Sequence, residues 1–254
     1  MDWSGTYGSS PVLAIDTSTR VASVALLGPG QDLGAEGRAE SRSDDLIALV
    51  DRVLGEAGVE LAQLAAVAIG AGPGSFTGLR IGMATAKGLC FAAGLPLWSV
   101  SSLAALALDA ATVESLADVL IVPAFDARRG EICAGFYRID GDRAESMGAE
   151  RIMLPAELAA AVADARRETH LSRTVLVGDA LETYGEALAD AGEPLARARI
   201  TPSGRSVARL ALAGSRVDVL QTGTPVYIRP SAAEVTFPDG NPGSRLLSGN
   251  PRKE

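Results

Sequence analysis

Short apolar runs and longer amphipathic stretches alternate along the chain. The runs have the length and composition of buried strands and end at turn-forming residues. Two stretches have helix length instead, because Ser43–Ala57 places apolar residues three and four apart and Phe76–Ala93 contains no proline. Strands that alternate with helices predict an α/β fold. The predicted strands of the first half are 12–16, 21–27, 64–69 and 96–100.

The second half of the chain repeats the first. Residues 122–137 align without a gap on the first predicted hairpin, and the alignment places Asp126 on Asp16. Residues 175–179 then fall on 67–71 at nearly the same offset. Two matches at nearly one offset, each joining a strand to the same kind of turn, predict a duplicated α/β domain.

The duplication predicts two units and two tails. The units are expected at 12–109 and 110–237, with the last segment of the second unit able to pack back on the first. Residues 1–11 are polar and predict a flexible N-terminal tail. Residues 238–254 are rich in glycine, proline, serine and charge, which predicts a disordered tail.

A glycine-rich turn at 70–80 joins a predicted strand to the second helix. Ser75 is well placed as an N-cap, and the open backbone N–H groups of such a turn suit a phosphate. The turn has neither the Gly-Lys-Ser/Thr end of a P-loop nor the third glycine of a dinucleotide fingerprint. A tight corner without a ligand is the alternative interpretation.

Asp16 ends an apolar strand and is followed by hydroxyl residues, where a metal-bound phosphate could lie. Ordinary turn chemistry is the alternative. Together with the glycine turn, this position gives a candidate vestigial phosphate site. Its predicted residues are Asp16, Thr17, Ser18, Gly72, Gly74, Ser75 and Thr77.

The second helix has an unusual face on which small residues recur every four positions. An interior glycine costs about 1 kcal/mol relative to alanine, so close approach of another helix is the expected reason. One edge of the apolar stripe on the first helix is expected to be uncovered. Together they predict a surface for a partner, or for a second copy of this chain as a homodimer. Its predicted residues are Leu46, Leu49, Val53, Gly78, Gly82 and Ala86. The alternative is that both faces are filled within the monomer.

Composition and charge exclude several classes of protein. A net charge of −8 argues against a protein whose main task is to hold nucleic acid. Cys90 and Cys133 are too few for a disulfide framework, and the single histidine, His170, nearly closes off histidine-based catalysis and metal binding. The chain shows neither a signal-peptide pattern nor an apolar run of membrane-spanning length, so we expect a cytoplasmic location.

This order of elements resembles the actin-like ATPase superfamily, which shares a ribonuclease H-like domain with the sugar kinases. More narrowly, four segments resemble the TsaB (YeaZ) family: 13–18, 72–82, 126–128 and 225–229. The resemblance implies a non-catalytic subunit that forms a heterodimer with TsaD and activates it. TsaD transfers a threonylcarbamoyl group to the adenosine beside the anticodon of tRNA. A small ATPase, TsaE, would join them, and tRNA would be reached only through the complex.

The resemblance also bears on catalysis. TsaD carries two metal-binding histidines on the helix that corresponds to Ser43–Ala57, and this chain has none there, so no catalytic or metal residue is predicted. No tightly bound cofactor is expected, and a weakly bound or interface-bound adenine nucleotide is left open. An ATPase or kinase using Asp16, with Asp126 as a second acid, is the alternative, although Asp179 is not followed by glycines. A peptidase is least supported, because the chain offers no nucleophile with a base.

Overall fold

The computed structural model describes residues 10–38, 43–169, 171–195, 200–220 and 223–226. Its helices are α1 Ser43–Ala57, α2 Phe76–Ala93, α3 Ser102–Glu114, α4 Leu158–Thr169, α5 Ala180–Leu188 and α6 Gly204–Leu212. Its strands are β1 Val12–Asp16, β2 Val21–Gly28, β3 Gln31–Arg38, β4 Ala66–Gly70, β5 Leu97–Val100, β6 Leu120–Arg128, β7 Glu131–Asp140, β8 Arg143–Met153, β9 Thr174–Val177, β10 Glu193–Pro194 and β11 Val217–Asp218.

The strands form two mixed sheets with the same internal order. The first sheet runs β11-β5-β4-β1-β2-β3 and the second β10-β9-β6-β7-β8. β1 pairs antiparallel with β2 and parallel with β4, and β6 pairs in the same way with β7 and β9. This repeated order confirms the predicted duplicated α/β fold of the actin-like, ribonuclease H-like class. The sequence analysis missed β3 and β8, because glycines and charges interrupt their apolar positions.

Apolar residues pack in three layers around the two sheets. α1 and α2 cover the outer face of the first sheet. α4 and α5 cover the outer face of the second. α3 and α6 lie in the core between the sheets, and residues 102–111 of α3 are all buried. A helix that is apolar on every side is stable only when it is covered on every side, and α3 meets that condition.

The chain returns to the first sheet after completing the second. α6 packs against β1 and β2, and β11 pairs with β5. α3 is continuous through the predicted boundary between 109 and 110, so the two sheets share a helix there. Residues 1–9 and 238–254 of the predicted tails lie outside the described residues, as does His170. None of the described helices is both long and apolar enough to cross a membrane.

Candidate functional site

Asp16, at the end of β1, is completely buried and accepts hydrogen bonds from two other segments. Its Oδ1 accepts from the Ser18 backbone N–H at 2.8 Å and the Ser18 hydroxyl at 2.6 Å. Its Oδ2 accepts from the Ser102 hydroxyl at 2.7 Å. Burial raises the pKa of Asp16 to about 6, although these donors oppose the rise. The carboxylate therefore connects the hairpin bend to the first turn of α3.

Ser102 extends this network to the glycine turn. Its hydroxyl also accepts from Gly72 N–H at 3.2 Å, and its own N–H donates to the Gly72 carbonyl at 2.8 Å. Gly70 packs on the Asp16 carboxylate, because a Cβ there would collide with Oδ2. The sequence analysis missed Ser102, since its only local signal was the N-cap position of its neighbour Ser101. The carboxylate, the turn and α3 form one hydrogen-bonded unit.

The glycine turn is packed directly onto the hairpin bend. Ser75 N–H donates to the Ser18 carbonyl at 2.6 Å, and a Cβ on Gly74 would collide with that same oxygen. The Thr17 hydroxyl donates to the Gly78 carbonyl at 2.8 Å. Ser75 also caps α2 as predicted, with its hydroxyl accepting from Gly78 N–H. The Ser18 carbonyl thus accepts the hydrogen bond of Ser75 N–H, an amide that could otherwise donate to a phosphate.

The residues of the predicted phosphate site lie around the hairpin bend and the glycine turn. The structure brings together Asp16, Thr17, Ser18, Gly72, Gly74 and Ser75. Gly74 and Ser75 are exposed, as is Thr77 on the first turn of α2. The Ser75 N–H could donate to a phosphate only after its hydrogen bond to the Ser18 carbonyl had opened.

The small face of α2 has a different cause from the one predicted. We expected another helix to approach Gly78, Gly82 and Ala86, and this expectation is wrong. A Cβ on Gly78 would collide with the Thr17 carbonyl oxygen, and one on Gly82 would collide with the Thr17 hydroxyl. Ala86 is buried in the same layer. The two glycines therefore admit the bend of the chain's own first hairpin.

The predicted partner face of α1 also lies inside the monomer. Leu46, Leu49 and Val53 are buried in the layer between α1 and the first sheet. A Cβ on Gly37 would lie 3.2 Å from Leu49 Cδ1, so β3 covers the edge that we expected to be open. Because β3 was not predicted, the width of the sheet beneath α1 was underestimated. The predicted partner surface must be corrected.

A different face of the same helices is exposed. Phe76 and Phe91 near the two ends of α2 are 41% and 69% exposed, and the Arg80 guanidinium stacks 3.7 Å from the Phe76 ring centroid. Ile47 on the neighbouring α1 is 44% exposed. We call this surface the outer α1–α2 face, and its residues are Ile47, Phe76, Arg80, Ala84, Gly88 and Phe91.

Asp126, near the bend of the second hairpin, also accepts hydrogen bonds from the chain's own groups. Asp126 Oδ1 accepts from Arg128 N–H at 2.8 Å, and the Arg128 guanidinium pairs with Oδ2 at 3.0 Å. The Tyr184 hydroxyl also donates to Asp126, and Asp126 N–H donates to the Asp179 carboxylate at 2.9 Å. Burial raises the pKa of Asp179, and the charge of Asp126 adds to the rise. The chain's own groups therefore engage the second candidate acid too.

One further polar cluster joins the two halves. The hydroxyls of Ser101, before α3, and Tyr137, on β7, both donate to Glu150 on β8. Burial and the nearby Glu150 charge raise the pKa of Tyr137. The sequence analysis missed this cluster, because its members are far apart along the chain. It ties the end of the first sheet's β5 to the edge of the second sheet.

A groove lies away from the glycine turn, between the β2–β3 hairpin and the helices α3 and α6. Its volume is about 1060 Å³. Asp109 on its wall accepts from Ser203 N–H, the Ser203 hydroxyl and the Ser206 hydroxyl at 2.6 to 2.7 Å, and so holds Ser203, the N-cap residue of α6. Burial raises the pKa of Asp109. Within the described part of the chain, no three His, Cys, Asp or Glu side chains are grouped as metal ligands.

Comparison with known proteins assigns the family. Residues 38–214 match the family model described as TsaD, tRNA N6-adenosine threonylcarbamoyltransferase. The structure of YeaZ from Pseudomonas aeruginosa is 31% identical, with a TM-score of 0.72 over 86% of this chain and 99% of that one. The chain belongs to the TsaB (YeaZ) family. A second P. aeruginosa structure, described as similar to peptidase YeaZ, gives 31% identity and a TM-score of 0.73 over 87% and 100% of the two chains.

Curated TsaB-family relatives match over a shorter stretch. The Haemophilus influenzae protein is 40% identical over 122 residues, which are 48% of this chain and 51% of that protein. The Escherichia coli protein is 38% identical over 130 residues, which are 51% and 55%. Both are named tRNA threonylcarbamoyladenosine biosynthesis protein TsaB. The chain therefore spans about half the length of these relatives. The family resemblance predicted from the sequence is confirmed.

Proposed function

We propose that this TsaB-family protein is a non-catalytic partner subunit that binds and activates a TsaD-type transferase. The transferase would carry a threonylcarbamoyl group to the adenosine beside the anticodon of tRNA. Family membership supports the pathway, through the names of the TsaB relatives. The observation that carries the non-catalytic role is the glycine turn, whose Ser75 N–H is bound to the Ser18 carbonyl instead of facing a phosphate.

The nucleotide-dependent ATPase or kinase is not favoured. Such an enzyme stabilises the transferred phosphoryl group with open amides and a free carboxylate, whereas Asp16 here is buried and bound by Ser18 and Ser102. A weakly bound or interface-bound adenine nucleotide stays a prediction. The proposal includes TsaE as the ATPase of a ternary complex, contact with tRNA only through that complex, and a cytoplasmic location.

The proposed docking surface is the outer α1–α2 face, in place of the buried residues predicted first. The TsaD family model matches this chain across both helices, so a TsaD-type partner carries homologous helices. Ala84 and Gly88 let a partner helix approach closely between the two exposed phenylalanines. Exposed aromatic and arginine side chains are the residue types that most often dominate binding energy. Without the partner, the same face could pair with a second copy.

The docking surface can be tested with charge substitutions on exposed positions. Ile47→Arg and Phe91→Arg should each weaken binding to purified TsaD by about tenfold or more, because a charge would be desolvated at the interface. Leu154→Arg is the matched control, since Leu154 is 52% exposed but follows β8 in the other half. All three variants should melt like the wild type. Unchanged affinity for both interface variants would place the partner on another surface.

The function itself is tested by reconstitution. TsaD and TsaE from the same source, supplied with threonylcarbamoyl adenylate as the donor and with ATP, should modify tRNA in the presence of this chain and lose that activity when it is left out. The isolated chain should neither modify tRNA nor hydrolyse ATP at an enzymic rate, here above about 1 per second. Equal tRNA modification with and without the chain would overturn the proposed function. ATP turnover that disappears in Asp16→Ala would favour the kinase alternative.

A further inference from the structure

The chain beyond the last strand crosses back to the glycine turn. Val219 N–H donates to the Leu97 carbonyl at 2.9 Å, beside β5. Gly223 N–H donates to the Val219 carbonyl at 2.8 Å. Val226 N–H donates to the Ala71 carbonyl at 2.7 Å, immediately before the glycine turn. We call residues 223–226 the C-terminal strap.

The strap is attached to α2 as well as to the turn. Lys87 Nζ, in the middle of α2, donates to the Gly223 carbonyl at 2.6 Å. At the other end, a Cβ on Gly72 would lie only 3.0 Å from the Val226 carbonyl oxygen. One end of the strap therefore contacts the turn that opens α2, and the other contacts the body of the same helix.

These contacts place the strap beside the proposed docking surface. Lys87 is three residues after Ala84 and four before Phe91, so on a helix it neighbours both. Val226 is exposed, although its backbone is bound to Ala71. The turn beneath the strap is fixed from its inner side by Ser18 and Ser102. The strap holds the same turn from the other side, through the hydrogen bond from Val226 N–H to the Ala71 carbonyl.

We propose that the C-terminal strap is a positioning element that holds α2 in its docking conformation and forms one rim of the outer α1–α2 face. This inference rests on the proposed function, and its partner is the same TsaD-type protein. A helix fixed before binding loses less conformational freedom on association, so fixation increases affinity without adding a contact. The strap also assigns a structural role to Pro225 and Val226, the described part of the 225–229 segment.

The experiment removes one strap hydrogen bond at a time. Val226→Pro deletes the N–H that binds Ala71, whereas Val226→Ala keeps it and shortens the side chain. Lys87→Met deletes the donor to Gly223 and keeps most of the stem, whereas Lys87→Arg keeps a cationic donor. We expect Val226→Pro and Lys87→Met to weaken TsaD binding by about tenfold, and both controls to stay within about twofold. Amide hydrogen exchange of 71–80 should accelerate in the same two variants.

The outcomes separate this inference from the proposed function. Failure of the wild-type chain to bind TsaD would overturn both. Wild-type affinity in Val226→Pro and Lys87→Met, with faster exchange confined to 219–226, would overturn the strap alone. Equal weakening by Val226→Ala would also overturn the positioning role, because the exposed side chain would then carry the effect. If Val226→Pro does not fold cooperatively, Lys87→Met decides by the same criteria.

Discussion

The Asp16 carboxylate lies at the end of β1, and every hydrogen bond described for it comes from the chain itself. Ser18 and Ser102 supply its donors, and Gly70 packs against its outer oxygen. A buried carboxylate is costly when charged unless such donors compensate it. At this residue the hydrogen bonds connect β1, the glycine turn and α3.

The first prediction concerns the pH dependence that Asp16 gives to stability. Burial raises its pKa from the usual 3.8 of an aspartate to about 6 in the folded protein. The folded chain therefore binds this proton more tightly than the unfolded chain, and the associated stability is present below pH 4 and lost as pH rises through 6. Relative to Asp16→Asn, wild-type stability should fall by about 2 kcal/mol between pH 4 and pH 7. Urea titrations of both proteins at several pH values measure this difference, and a constant difference would contradict it.

Two glycines of α2 give the second prediction, because they differ only in what surrounds them. Gly82→Ala should destabilise the fold by about 2 kcal/mol, since its Cβ would collide with the Thr17 hydroxyl. Gly88→Ala should stabilise the fold by about 0.5 to 1 kcal/mol, since nothing lies within 4 Å of its Cβ position and alanine favours helix. Thermal melts of the two variants are the measurement. Equal effects would show that Thr17 does not approach Gly82 so closely.

At the scale of elements, α1 presents one face to the sheet and another outward. Leu49 is 9% exposed and packs over Gly37, whereas Ile47, two residues earlier, is 44% exposed. The third prediction follows from that contrast. Leu49→Arg should lower the free energy of unfolding by about 3 kcal/mol or more, because the guanidinium cannot be solvated beneath α1.

Ile47→Arg is the control for that prediction and should leave unfolding unchanged within about 0.5 kcal/mol. Chemical denaturation of both variants provides the comparison. A soluble Leu49→Arg protein with wild-type stability would restore the original expectation that this edge of α1 is open.

Periodicity and local caps were enough to predict part of this structure. The stripe of α1, the apolar run of β1 and the N-cap at Ser75 each depend on residues within a few positions of one another. β3 escaped prediction because glycines and charges break its alternation. Ser102 escaped because its partner Asp16 is 86 residues away, and no local pattern records such a contact. The missed β3 accounts for the part of the partner face assigned to α1, and the approach of Thr17 to Gly78 and Gly82 accounts for the part assigned to α2.

At the scale of the whole molecule, the two sheets share their inner core. α3 is buried over 102–111 and packs on the second sheet, while the α6 that lies beside it packs on the first. Apolar residues from both sheets belong to the same layer, among them Trp98 and Phe125. If α3 or α6 unfolded, apolar surface of both halves would therefore be exposed to water. The two halves are therefore expected to unfold together.

The last prediction tests whether the two halves unfold together, through the cluster of Ser101, Tyr137 and Glu150 that joins them. In a Trp3→Phe background, fluorescence of Trp98 reports on the first sheet, where the ring lies 4.1 Å from the Arg216 guanidinium. Tyr137→Phe makes its change on β7 of the second sheet, where it removes the hydroxyl that donates to Glu150 and that lies 3.4 Å from the Ser101 hydroxyl. We expect the Trp98 transition in urea to shift by about 1 to 2 kcal/mol, because Glu150 loses a part-buried partner and unfolding is shared.

Far-UV circular dichroism should follow the same shifted curve, and Tyr184→Phe provides a control hydroxyl that bonds only within the second half. A Trp98 transition that stays in place while the circular dichroism curve moves would show that the halves unfold separately. The shared α3 core would then not couple them.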